Sequence, residues 1–130
     1  LDGSAQGRTI KTLNSTDASR GQLYASSWPS VFIGGYADHV RIVRILPIGP
    51  EELELSVEWL FEENTLNDPS YDIQNVIEFA KLVMMQDGKA CEINQIGIHS
   101  KVFEHGVLMP EEYLLKRFQD WVRVQVNSLD

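Results

Sequence analysis

Apolar and polar residues alternate without interruption from Leu53 to Trp59, and this pattern limits the fold of the chain more than any other feature. The apolar positions are Leu53, Leu55, Val57 and Trp59. Since successive side chains of a β-strand point to opposite faces, a period of two predicts a strand with one face on a core and the other in water. Apolar runs at residues 23–33 and 39–48 predict two earlier strands, and Pro29 makes the first an edge strand or splits it. Reversal signals between the runs predict an antiparallel meander.

Helical spacing replaces this alternation after a polar connection that ends in Asp68-Pro69, a combination that predicts a helix start. The apolar positions that follow are spaced as on one face of a helix: Ile73, Val76, Ile77, Ala80, Val83 and Met84. Polar residues, among them Lys81, fall between them. The helix is predicted to reach residues 86–88 and to allow continuation through Ile93.

A final amphipathic helix is predicted from Pro110, because acidic residues follow the proline in the first turn. Its apolar stripe consists of Leu114, Phe118, Trp121 and Val122. Strands followed by helices predict an α+β fold in which helices pack on one face of an antiparallel sheet.

Length and composition fit one domain with a loosely built beginning. The chain has 130 residues, the size of a domain with a single hydrophobic core. Residues 1–22 are rich in small polar residues and predict a polar loop or frayed start, whereas residues 23–130 carry the periodic patterns. Because the sequence starts at Leu1 rather than Met, we expect it to be part of a longer protein.

Charge, cysteine content and hydropathy exclude several functional classes. The net charge of −8 repels phosphate backbones and argues against nucleic-acid binding. The single cysteine excludes a disulfide framework and a multi-cysteine zinc or iron–sulfur site within this chain. No apolar run approaches the roughly 20 residues of a membrane span, and no signal-peptide pattern is present. We therefore expect a cytoplasmic protein without a membrane partner.

Conventional catalytic motifs are scarce. The three histidines form no HxxxH pair, and each is predicted to be a surface or turn residue: His39, His99 and His105. Cys91 is predicted to be a small buried apolar residue, since neither a base nor an electropositive site accompanies it. Gly34-Gly35 predicts a turn or a close backbone approach, but no GK[ST] follows as in a phosphate-binding loop. No serine lies in a G-x-S-x-G elbow.

Asp87 is the most informative carboxylate. It follows four apolar residues, Leu82 to Met85, and Gln86, and the small residues Ala90 and Cys91 lie on its far side, after Gly88 and Lys89. These neighbours predict partial burial, and a buried carboxylate needs a base, a hydrogen-bond network or a metal ion as its partner. The residues alone leave a structural buried acid and a metal ligand equally open.

The segment from Gln86 to Ser100 resembles the catalytic domain of Rieske non-haem iron oxygenases, whose pattern there reads Q/E-D-x-x-x-C-E-x-x-Q-x-G-L/I-x-S. The matching residues are Asp87, Cys91, Glu92, Gln95, Gly97, Ile98 and Ser100. Further family motifs occur in the expected order on both sides: Trp28-Pro29-Ser30, Asp38-His39-Val40, Leu46 to Pro50, Glu58 to Phe61, Phe103 with Gly106, and Pro110-Glu111-Glu112. The resemblance spans residues 7–125 and implies the C-terminal part of such a catalytic domain.

The resemblance also implies a mononuclear Fe(II) held by two histidines and one carboxylate, a ligand set that leaves positions open for O2. Carried over to this sequence, the carboxylate is Asp87. The iron histidines of the family, and the Rieske domain with its [2Fe–2S] cluster, have no counterpart here, and the three histidines of the chain do not match them. We therefore predict that the chain alone binds no iron and has no oxygenase activity.

Fold and partners follow from the same resemblance. The implied fold is of the helix-grip, START-like type, an antiparallel sheet wrapped around a long helix with the pocket between them. The complete enzyme would use O2, a small organic substrate and electrons from a reductase or ferredoxin, and family members are often homotrimers. Gln86-Asp87 and Gly7-Arg8-Thr9 resemble the branch that acts on quaternary amines such as glycine betaine, while an aromatic substrate stays open.

Other site residues are predicted around Asp87. Candidate substrate-pocket residues lie one helical turn before it, although core packing explains the same positions equally well: Val83 and Met84. Three polar residues are candidates for orienting the iron site without touching the metal: Glu92, Asn94 and Gln95. The alternative function is a non-catalytic helix-grip domain that binds a hydrophobic ligand in the cavity between sheet and helix.

Overall fold

The computed structural model describes residues 7–14, 16 and 21–129, and its first part is a four-stranded antiparallel sheet. The strands are β1 Leu23–Ser27, β2 Val31–Gly35, β3 His39–Pro47 and β4 Leu53–Phe61. They are hydrogen-bonded in chain order, with β1 and β4 at the two edges. The predicted meander and the α+β class are thereby confirmed. Residues 1–6, 15 and 17–20 of the predicted polar loop lie outside the described residues.

The apolar run predicted at residues 23–33 is split into β1 and β2 by a turn around Pro29, which has no N–H to donate to a sheet. Gly34 lies within β2 opposite Tyr24 and is not part of a turn. A side-chain carbon at Gly34 would lie 3.1 Å from the ring of Tyr36 and 3.3 Å from the ring of Tyr24. The close approach, rather than the turn, is therefore the role of this glycine.

The pairing of β3 with β4 places the alternating residues of β4 on defined faces. Val57 is opposite Val43, and Leu55 is opposite Ile45. Because directly opposed residues point to the same side of a sheet, these side chains form one apolar face. Trp59 extends that face toward the end of β4, opposite Arg41.

The connection after β4 contains a short helix, α1 Glu63–Leu66, which the sequence patterns do not predict. The long helix α2 Ile73–Ile98 starts four residues after the predicted Pro69 position. Asp72 caps it, accepting the Asn75 N–H at 3.3 Å. Asp68 instead accepts the N–H and the hydroxyl of Ser70, at 3.0 and 2.6 Å. The predicted cap at Asp68 is therefore wrong, because this carboxylate closes a turn on its own.

Helix α2 runs through Gly88, as the predicted continuation allowed, and ends at Ile98, five residues beyond Ile93. A glycine inside a helix costs only about 1 kcal/mol relative to alanine, which a helix of this length tolerates. A side-chain carbon at Gly88 would meet no atom within 4 Å. The glycine interrupts the apolar pattern without interrupting the helix.

Contacts divide the chain into two compact units, Leu1–Ile93 and Asn94–Asp130. The second unit contains the end of α2, a 3₁₀ turn at Pro110–Glu112 and the helix α3 Tyr113–Asn127. The Glu112 carboxylate accepts the N–H of Met109 at 2.7 Å, so the start predicted at Pro110 is confirmed as a 3₁₀ turn that leads into α3. Phe118 and Trp121 stack on one side of α3, with ring centres 6.1 Å apart.

Few side chains are buried among the described residues. The buried apolar residues are Tyr71 and Ala80, and the buried polar residues are Asp38, His39 and Thr65. His39 is only 7% exposed, so its prediction as a surface or turn residue is wrong. Cys91 is exposed, contrary to the prediction of a buried apolar residue. None of the described helices has the length and apolar character needed to cross a membrane.

Candidate functional site

Asp87 lies in the middle of α2, and its side chain is exposed. The predicted partial burial is wrong because the apolar turn before it does not close around the carboxylate. Leu82 and Met85 of that turn are themselves 53% and 66% exposed. A solvated carboxylate needs no internal partner, so Asp87 is open to a ligand from outside the described residues.

A groove of about 280 Å³ lies between β4 and α2. Its walls are Leu55, Val57, Trp59, Ile77, Lys81, Met84 and Met85. The strand contributes one face through every second residue, and the helix contributes positions four, seven and eight residues after Ile77, which share one helical face. The volume is close to the lower limit of small-molecule sites in proteins, about 300 Å³. By its volume, the groove has room for a small organic molecule.

Met84 connects this groove to Asp87. It lines the groove and lies three residues before Asp87, so both residues belong to the same side of α2. Three residues advance a helix by about 4.5 Å, less than one turn. Val83, four residues before Asp87, is 38% exposed. The predicted carboxylate ligand thus lies less than one helical turn beyond the end of the apolar groove.

The polar groups that line the groove are hydrogen-bond donors rather than acceptors. Among the described residues, Lys81 is the groove's only charged lining residue, and no aspartate or glutamate contributes to the walls. The buried indole N–H of Trp59 has no hydrogen-bond acceptor in the part of the chain that the structure describes. The described walls thus offer two hydrogen-bond donor groups, on Lys81 and Trp59, but no side-chain oxygen that could accept a hydrogen bond.

A buried cluster of polar residues lies at the beginning of β3, in addition to the groove. Three groups among the described residues contact the two carboxylate oxygens of Asp38. Oδ1 lies 2.8 Å from Nδ1 of His39, whereas Oδ2 accepts the Tyr71 hydroxyl and the Gly7 N–H, each at 3.1 Å. Sequence reasoning missed this cluster, since no local pattern links an Asp-His pair to a tyrosine 33 residues away. We refer to Asp38, His39, Tyr71 and Gly7 as the Asp38 cluster.

Aromatic rings enclose the Asp38 cluster. Tyr36 stacks on His39 with ring centres 4.4 Å apart, and Phe61 lies 5.4 Å from His39 and 6.0 Å from Tyr71. Burial, followed by the charge of Asp38, raises the pKa of the Tyr71 phenol. Burial and the hydrogen bond with Tyr24 raise the pKa of Tyr36 to about 12. Both phenols therefore remain protonated at neutral pH. Tyr36 and Tyr71 thus contribute to the structure of the cluster.

Comparison with known families identifies the chain. The family described as ring hydroxylating alpha subunit (catalytic domain) matches residues 1–128. The chain belongs to this family. Membership in the ring-hydroxylating family confirms the resemblance to Rieske oxygenases that residues 86–100 indicate.

Relatives of this ring-hydroxylating domain include plant and bacterial monooxygenases. The choline monooxygenase of Atriplex hortensis is 28% identical over 101 residues, which cover 77% of this chain and 23% of that protein. The glycine betaine monooxygenase oxygenase subunit of Chromohalobacter salexigens is 29% identical over 97 residues, which cover 74% of this chain and 21% of that protein. The domain thus spans less than a quarter of the length of these relatives.

The family implies an iron centre, and the residues of this domain supply only a part of one. In the described ranges 7–14, 16 and 21–129, no group of three His, Cys, Asp or Glu side chains could hold a metal ion. Asp87 offers a hard carboxylate oxygen of the kind that ferrous iron accepts, but a facial triad needs two imidazoles as well. The described residues therefore do not fit a complete iron site.

The remaining predicted site residues lie on α2 beyond Asp87. Glu92 is exposed and accepts a hydrogen bond from Lys89 at 3.0 Å. In the second unit, Asn94 is exposed and Gln95 is half-buried. Their role in orienting an iron site stays a prediction.

Proposed function

We propose that this chain is the C-terminal part of the catalytic domain of a Rieske-type mononuclear iron oxygenase, and that Asp87 is the carboxylate ligand of its iron. The observation that carries the proposal is the position of Met84, which lines the groove between β4 and α2 and lies three residues before Asp87. An oxygenase needs its metal beside the bound substrate, because reacting atoms must approach within about 3.5 Å of each other. Because Met84 and Asp87 lie on one side of α2, a metal held by Asp87 would lie close to a molecule bound in the groove.

Different residues of the chain would bind the substrate and the metal. The apolar walls contributed by Leu55, Val57 and Met84 would bind the substrate body and exclude water. Asp87 would fix the metal at the end of the groove. When bound, the iron supplies activation of O2, and the two histidine ligands and the [2Fe–2S] cluster would come from outside this chain.

The fold proposed for the whole domain is the helix-grip type. Its support here is that α2 runs beside one apolar face of β4 with the groove between them. A homotrimer, and electron delivery by a reductase or ferredoxin, are proposed from the family. A cytoplasmic location is proposed from the sequence alone, whereas the plant choline monooxygenases are described as chloroplastic.

The proposed substrate is a small organic molecule that undergoes hydroxylation or oxidative demethylation. The names of two relatives mention choline and glycine betaine, both quaternary amines, which favours a substrate of that kind. The groove volume of about 280 Å³ is compatible with such a molecule and with a single aromatic ring.

The second candidate is a non-catalytic helix-grip domain that binds a hydrophobic ligand. It is supported by the apolar groove and by the finding that, among the described residues, no group of three His, Cys, Asp or Glu side chains could hold a metal ion. The sequence encoded upstream of Leu1 separates the two candidates. An oxygenase requires a C-x-H…C-x-x-H pair and an H-x-x-x-x-H helix there, and a native gene without them would exclude the oxygenase.

The decisive experiment measures iron in the full-length protein. We expect about one mononuclear iron per subunit in addition to the cluster irons, and we expect Asp87→Asn to lose it. Glu78→Gln, an exposed substitution on the same helix, is the matched control and should retain the iron. Full iron occupancy in Asp87→Asn, or a full-length protein that never binds mononuclear iron, would reject the proposal.

A further inference from the structure

Lys81 occupies an unusual position on α2. It lies four residues after Ile77 and four before Met85, in the middle of the helix face that lines the groove. Positions of this kind on an amphipathic helix normally carry apolar residues. In the sequence, Lys81 is indistinguishable from the other polar residues of the helix, and only the groove reveals its setting.

The charge of Lys81 has no protein partner in the described part of the chain. The ion pairs found there involve other residues, and no acidic side chain lines the groove. This is notable in a chain with 19 acidic and 11 basic residues, where most surfaces offer a carboxylate to a lysine. A lysine in such a place packs its methylene stem on the apolar wall and holds its ammonium group at the mouth.

Among the residues that the structure describes, the same wall has no side-chain oxygen to accept a hydrogen bond. The buried N–H of Trp59, also a lining residue, is unpaired, and the other walls are leucine, valine, isoleucine and methionine. A bare cation entering this groove would meet a positive charge and no compensating oxygen. A carboxylate would supply the missing anion, because charge-assisted hydrogen bonds to ammonium groups are among the stronger polar contacts in proteins.

We propose that Lys81 recognises a carboxylate of the substrate, so that the groove selects small organic acids and zwitterions with an apolar body over the corresponding alcohols. This inference rests on the proposed function only in taking the groove as the substrate pocket. It distinguishes between the two compounds named in the relatives, because glycine betaine carries a carboxylate and choline carries a hydroxyl. Lys81 is thus a specificity-determining residue.

The test is calorimetric titration of the full-length protein with two matched pairs of probes, glycine betaine with choline and benzoate with benzyl alcohol. In at least one pair we expect the carboxylate to bind about tenfold more tightly. Lys81→Met should abolish that preference while retaining the apolar stem, and Lys81→Arg should retain it. Lys116→Met, an exposed substitution on α3, is the control and should leave it unchanged.

A preference of the same size in Lys81→Met, or no carboxylate preference in either pair, would overturn the inference. Lys81→Gln provides a second neutral variant if the methionine variant does not fold. The iron measurement separates this result from the proposed function. Carboxylate selectivity that depends on Lys81 in a protein without mononuclear iron would support the inference and reject the oxygenase. Normal mononuclear iron binding without carboxylate selectivity would support the oxygenase and overturn the inference about Lys81.

Discussion

The hydroxyl of Tyr71 donates a hydrogen bond to Oδ2 of Asp38 at 3.1 Å, across 33 residues of sequence. Tyr71 lies two residues before α2, and Asp38 lies immediately before β3. This contact therefore attaches the start of the long helix to the sheet. The attachment is buried, which makes it sensitive to the loss of either partner.

Tyr71→Phe is expected to destabilise the fold. The substitution retains the ring packed against Phe61 and removes one of the donors to a buried carboxylate, a change that costs about 1–3 kcal/mol. The measurement is the free energy of unfolding, or the shift of the thermal midpoint. Tyr113→Phe, at a tyrosine that is 59% exposed, is the control. An equal, small effect of both substitutions would show that the buried hydrogen bond is not important for stability.

Glycine-to-alanine substitutions at positions 7 and 88 are expected to have opposite effects on stability. A side-chain carbon at Gly7 would lie 2.8 Å from the Tyr71 ring, and such overpacking costs about 1–3 kcal/mol. Gly88 has open space around it, so Gly88→Ala should stabilise α2 by up to about 1 kcal/mol. Thermal unfolding of both variants measures the difference. A stable Gly7→Ala protein would contradict the tight contact with Tyr71.

Asp72, rather than Asp68, is expected to stabilise the start of α2. Its carboxylate caps the Asn75 N–H, and replacing an N-cap residue by alanine costs about 1 kcal/mol. Asp72→Ala should therefore lower the free energy of unfolding in a denaturant titration. Glu78→Ala, at an exposed site inside the same helix, should change it by less than about 0.5 kcal/mol.

The pKa of Asp68 is expected to rise in Ser70→Ala. The two hydrogen bonds from Ser70 are the main cause of the lowered pKa of this carboxyl, and Arg8 at 3.1 Å contributes less. A lowered pKa in the folded state means that stabilisation is present above the usual pKa of aspartate and is lost as the pH falls through the folded value. Titration of the Asp68 carboxyl by NMR measures the change. Asp120, whose pKa is lowered mainly by Lys116, should titrate identically in both proteins.

Met84→Trp is expected to weaken ligand binding in the groove, because the larger side chain fills a part of its volume. The measurement is the affinity of the full-length protein for the tighter ligand of each probe pair. Leu82→Trp, on an exposed side of the same helix turn, serves as the control for the added bulk. If both variants bind the probes as the unmodified protein does, the groove is not the binding site.

The strands and the long helix could be predicted because their periodic patterns reflect local geometry. In β4, the alternation from Leu53 to Trp59 corresponds directly to the two faces of the strand. The start of α2 could not be predicted with the same accuracy. Asp68 and Asp72 both satisfy the rule for a helix cap, and the turn that Asp68 makes with Ser70 decides between them.

The candidate site was less accessible to sequence reasoning. Asp87 was selected by the family resemblance, whereas its apolar neighbours wrongly predicted burial. The burial of His39 depends on rings from Tyr36 and Phe61 and on a carboxylate shared with Tyr71. Such arrangements arise from contacts between distant segments, and a local periodicity contains no information about them. The position of Lys81 in the groove could not be predicted for the same reason, because the groove forms between β4 and α2.

Strand β1 has consequences for handling the protein. It is an edge of the sheet, all five of its residues are exposed, and Leu23 and Tyr24 present large apolar side chains. A strand edge of this kind offers a row of backbone donors and acceptors to any extended chain that meets it. We therefore expect copies of the chain at high concentration to associate edge to edge, and we expect dilution or a substitution such as Leu23→Lys to keep samples monodisperse.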